Sequence, residues 1–185
     1  MNIKFKLETV GYMVAEFSAT DKIIKIGHSS SYGDKFQELL NKFFFIYEII
    51  STKEENHFPF AFELLWEDDF VNYEWNVNID SAQSAIRVKI FELSPTNRDH
   101  KVELVNGESQ IEDFFNNIYL SLNELLSGFG FIGYKKNWET GNFPIFEYIV
   151  LKAKKEQLIM QTIRDAAEEW KQKINPEDEL KVIGF

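Results

Sequence analysis

The chain contains no cysteine. That removes disulfides, thiolate nucleophiles, zinc ribbons and iron–sulfur clusters together. Histidine is scarce as well, with His28, His57 and His100 far apart in sequence. None stands in an H-x-H or H-E-x-x-H spacing and no EF-hand loop is present, so neither a metal site nor a cofactor is expected. No apolar run is long enough to span a bilayer. The opening residues, MNIKFKLETVGYMV, lack the continuous apolar stretch of a secretion leader. A cytoplasmic location is the expectation. Cations are missing from one region: no Lys or Arg stands between Lys53 and Arg87, while Glu54, Glu55, Glu63, Glu67, Asp68, Asp69, Glu74 and Asp80 all fall there.

What is present is an aromatic-rich globular composition. Of 185 residues, 44% are hydrophobic and 16% aromatic, with 18 Phe. That is enough apolar material for one well-buried core, and a single α+β domain over 1–185 is expected. Net charge is −10, from 20 basic and 30 acidic side chains. Phosphate recognition needs cations that displace counterions, so nucleic acid and anionic membrane are excluded as partners. A basic protein is the electrostatically favoured one.

Along the chain, Ile3, Phe5 and Leu7 alternate with Lys4, Lys6 and Glu8, the period of a half-buried strand. Residues 2–28 read as a three-stranded meander with turns at Gly11 and at SATDK. The pattern then becomes helical: Phe36, Leu39, Leu40, Phe43, Ile46, Tyr47 and Ile50 share a face, behind a capping box of Ser31 and Asp34. Phe44 and Phe45 broaden that face and leave room for a homo-oligomer seam. A second meander follows, with Phe58, Phe60, Phe62, Leu64 and Trp66 on one strand face, then Tyr73, Trp75 and Val77, then Ile86, Val88 and Ile90. Pro59 marks its first strand as an edge. Residues 94–108 read as a loop or a weak strand.

SQIE opens a second helix as a capping box of Ser109 and Glu112, and Gly128 stands where a helix-stopping glycine belongs. Gly128 begins GFGFIG, which matches the glycine spacing of a dinucleotide fingerprint. That fingerprint follows a strand and opens a helix, whereas this one follows a helix, so a nucleotide site is rejected. From Pro144 to about Lys173 helical spacing returns through Phe146, Ile149, Val150, Ala153, Met160, Ile163, Ala167 and Trp170, although 145–152 also reads as a short strand. Pro176 is expected to end that helix and Leu180–Phe185 to form a last strand.

The fold class is therefore α+β: two antiparallel meanders, each followed by a helix, plus a long C-terminal helix packed on the sheet. The candidate binding residues are Glu63, Glu67, Asp68, Asp69, Glu74 and Asp80, on or beside the second meander. If Trp66 pairs with Val71, Glu63 lies opposite Glu74 with no cation on either strand. Carboxylates exposed on a sheet lack the cleft that tunes an acid–base pair, so no catalytic residue is assigned. The reading is a small non-catalytic module that docks a basic protein. By charge and size alone, it is of the physical type of immunity proteins that neutralise basic nucleases. The alternative is an enzyme or ligand binder with an aromatic pocket between sheet and helices, using His28 or Glu74 as its polar group and the loop residue Trp138.

Overall fold

The computed structural model describes residues 1–19, 22–52, 55–82, 85–94, 100–157, 162–164, 172–174 and 176–184. They form an α+β chain of two compact units, residues 1–143 and 144–185. Among the described residues no helix is long and apolar enough to cross a membrane.

The larger unit opens with strands β1 (Asn2–Thr9), β2 (Tyr12–Ala19) and β3 (Lys22–Ser29), an antiparallel sheet in that order. Alternation turns Ile3, Phe5, Met13, Ala15, Phe17, Ile26 and His28 inward. Helix α1 (Lys35–Thr52) follows. Its N-terminus is capped by Asp34, whose Oδ1 accepts from the Gln37 N–H at 3.0 Å. The cap is thus the acidic member of the expected box, because Ser30–Tyr32 are taken up in a 3₁₀ turn.

Strands β4 (Phe60–Glu67), β5 (Asn72–Ile79), β6 (Ile86–Leu93) and β7 (Lys101–Ser109) form a second, separate antiparallel sheet. β4 is its edge, as Pro59 implied. The stretch read as loop or weak strand supplies a complete fourth strand, although residues 95–99 lie outside the described set. A bulge after Ile90 brings Phe91 opposite Glu103, and this irregularity breaks the alternation that would have marked β7 in the sequence.

Helix α2 (Ile111–Trp138) lies against β1. Ser121 joins the two: its hydroxyl accepts from the Phe5 N–H at 3.1 Å and donates to the Asn117 carbonyl at 2.9 Å. Lys4 and Glu124 pair beside it at 2.5 Å. The expected Ser109–Glu112 box does not form, because Ser109 is still paired with Ile86 in the sheet and Gln110 is the cap. Gly128 does not stop the helix either. The break is a kink at Gly130 (φ 62°, ψ 175°), after which helical geometry resumes to Trp138. Phe43 bridges the sheet and both helices, with ring centroids 5.8 Å from Phe62 and 4.9 Å from Phe114, both edge-to-face.

The smaller unit contains α3 (Ile145–Lys155), β8 (Thr162–Arg164) paired with β9 (Gln172–Ile174), and α4 (Pro176–Ile183). Residues 145–152 are therefore helical, but the helix is shorter than its spacing suggests. It ends where Gln157 turns to φ 53°. Ile163, expected on the helix face, lies in β8; Met160, Ala167 and Trp170 lie outside the described residues. Pro176 begins a helix rather than ending one, and the residues up to Ile183 expected as a strand are helical, since proline suits a first turn.

Candidate functional site

Three of the six candidate carboxylates meet at one place, the turn between β4 and β5. Glu67 and Asn72 are the last paired residues, and the turn is closed by the Asp68 N–H donating to the Val71 carbonyl at 3.1 Å. Asp68 Oδ1 accepts from the Asp69 N–H at 2.7 Å. Two phenols brace the turn from outside. Tyr12 donates to Asp68 Oδ2 at 2.7 Å and Tyr32 donates to Asp69 Oδ1 at 3.3 Å. Tyr12 reaches across Gly27, where any side chain would overlap its phenol. Burial, and then Asp68, push the Tyr12 phenol far above its ordinary range. Glu8 adds to that field, and burial likewise raises the Tyr73 phenol, with Glu92 and Asp68 acting in the same direction. At the tip, Phe70 is 86% exposed.

The other three candidates are placed differently. The register sets Trp66 opposite Tyr73, Glu63 opposite Asn76 and Leu65 opposite Glu74. The expected Glu63–Glu74 pair therefore does not exist. The turn sits one residue later on each strand, which moves the pairing by two positions and keeps each side chain on its face. Glu74 takes both its oxygens to Lys101 Nζ at 2.7 Å, and that bond holds its carboxyl below the usual range. Asp80 pairs with Arg87 at 2.9 Å. Cations from β6 and β7 thus offset acids that the local sequence leaves bare. Glu63 stands exposed midway along β4.

His28 and Trp138 do come together, with ring centroids 5.8 Å apart, but inside the core. Both are fully buried. Trp138 belongs to the last turn of α2 rather than to an exposed loop, and its indole N–H donates to Asp34 Oδ1 at 2.9 Å. His28 bridges two main-chain carbonyls, with Nδ1 2.9 Å from Glu67 O and Nε2 3.0 Å from Gly33 O. Trp66 packs on its other side at 5.5 Å. The histidine ties β3 to the end of β4, next to the acidic turn. Among the described residues no group of three or more His, Asp or Glu side chains could hold a metal ion.

Sequence reasoning missed Phe70, Tyr12 and Tyr32 as parts of this site. Phe70 carried a signal, being a large apolar residue inside a three-acid turn. The two tyrosines carried none, because they reach the turn from far back in the chain, Tyr12 from β2 and Tyr32 from the 3₁₀ turn after β3. No family model, curated protein or solved structure matches the chain.

Proposed function

We propose that this chain is a non-catalytic binding module whose β4–β5 turn docks a basic protein. The observation that carries the reading is Phe70, an aromatic ring presented almost wholly to solvent beside Glu67, Asp68 and Asp69. An exposed ring flanked by carboxylates complements a cationic surface with an apolar centre, the pattern of a buried anchor with a charged rim. The braces from Tyr12 and Tyr32 support it further, since a turn already held in shape loses less entropy on binding. Glu74 and Asp80, neutralised by their own lysine and arginine, stand outside the proposed surface, and Glu63 lies at its margin.

The test compares Phe70→Ser with the wild type as bait in a lysate of the native host. Phe70 is 86% exposed, so the variant is expected to keep its fold. The proposal predicts a basic protein held by the wild type, with affinity lowered about tenfold or more in the variant, as for an interface anchor. Equal affinity for both baits would remove the turn from the interface.

A further inference from the structure

The acidic turn crowns a strand that, among the described residues, is paired on one side only. β4 ends its sheet. At Glu67 its outer side is engaged by His28. Among the described residues, no main-chain hydrogen bond joins Phe60–Trp66 to any element but β5. A strand edge of this kind is a template for another strand. Its two faces are unlike. On the inner face α1 runs beside the edge and leaves a groove of about 400 Å3 lined by Glu38, Asn41, Lys42, Phe45 and Phe60. The floor is aromatic, with Phe45 43% exposed and its ring 5.2 Å from that of Phe60. On the outer face the small side chain of Ala61 leaves a depression of about 380 Å3 between Glu63, Asn76 and Asn78.

We propose that the β4 edge accepts one extended segment of the partner as an added strand, in which apolar residues alternate with Lys or Arg. The side chains of such a strand point alternately to the two faces. One set enters the groove against Phe45 and Phe60. The other lies over Ala61 toward Glu63 and then, at the end of the strand, toward Glu67. Charge fixes which set is cationic. In the groove, Glu38 is already paired with Lys35 at 2.8 Å and Lys42 sits over the Phe62 ring at 5.4 Å. The outer face of β4 carries Glu63 and Glu67 and no cation. The sign of the partner's charge rests on the function proposed above; the main-chain pairing rests on the edge itself.

The experiment is amide hydrogen exchange of the full chain, read by NMR, with an acetylated and amidated Lys-Val-Lys-Val-Lys-Val-Lys peptide. Two controls accompany it: the corresponding Glu-Val peptide, and the Lys-Val peptide N-methylated at every residue. The expected result is exchange slowed about tenfold or more at alternate amides of Phe60–Trp66 by the Lys-Val peptide alone, with the effect reduced in Phe45→Ser. Three results would overturn it: no slowing at saturating peptide, equal slowing by the N-methylated copy, or protection without peptide that rises with protein concentration, which would give the edge to a second copy. Repeating the exchange on the Glu67→Gln, Asp68→Asn, Asp69→Asn variant separates the two readings. Protection of β4 there, with partner capture indifferent to the turn, keeps the edge and removes the turn. Loss of capture without β4 protection does the reverse.

Discussion

Asp34 does two jobs with one carboxylate oxygen. Its Oδ1 caps α1 through the Gln37 N–H and accepts the indole N–H of Trp138, which arrives from the far end of α2. Removing it deletes a cap, worth about 0.5–2 kcal/mol, and leaves a buried donor unpaired, at about 1–3 kcal/mol. Asp34→Ala is therefore expected to destabilise by about 2–4 kcal/mol, as measured by chemical denaturation, with Asp34→Asn, which keeps an Oδ1 acceptor, recovering much of that loss. A change under about 0.5 kcal/mol would show that neither bond matters. The tyrosines give a pH dependence. Burial raises the phenols of Tyr12 and Tyr134, with Asp68 and Asp34 adding to it respectively. A phenol raised in the folded state contributes stability that is complete below its ordinary range and lost as pH climbs toward the folded value. The denaturation midpoint should thus fall as pH rises above about 10, and Asp68→Asn should lessen the fall. Absorbance showing all seven tyrosines ionising together near the ordinary value would contradict this.

The elements were legible in the sequence wherever alternation or helical spacing ran unbroken, as in both meanders, α1 and the first half of α2. They were illegible where a chain reversal used an unexpected residue. α2 and α3 end beside Glu139 (φ 58°) and Gln157 (φ 53°), both left-handed without glycine, so a reading that stopped the one at Gly128 and the other at Pro176 placed the first end too early and the second too late. Trp138 was hidden by its neighbours: Lys135, Lys136 and Asn137 look like a polar loop, yet Tyr134 and Trp138 are one turn apart on a buried face. The site was legible as a run of acids, but the pairing of Glu74 with Lys101 and of Asp80 with Arg87 depends on how β5, β6 and β7 align, which the local sequence does not show. The glycines of α2 offer a sharp test. Gly130 sits at φ 62°, ψ 175°, a region close to glycine-only, whereas a Cβ at Gly128 meets nothing within 4 Å. Gly130→Ala should lose about 1–3 kcal/mol and Gly128→Ala should gain about 0.5–1 kcal/mol. Thermal denaturation that moves both variants the same way would refute the kink as the reason for the glycines.

At the scale of the whole molecule, charge of −10 is unevenly used. Acids on the outer face of the second sheet are answered by Lys101 and Arg87, while those at the β4–β5 turn bond to phenols, which leave their charge in place. Together with the exposed Glu63 on β4, the turn therefore carries acids that no neighbouring cation among the described residues offsets. The measurement that tests this most directly is partner capture across a salt series with three baits: the wild type, the Glu67→Gln, Asp68→Asn, Asp69→Asn variant, and a Glu74→Gln control. The account predicts a basic protein retained at low salt by the wild type and the control, released as salt screens the contact, and lost with the turn variant. Retention of the same protein by all three baits, unchanged by salt, would contradict it.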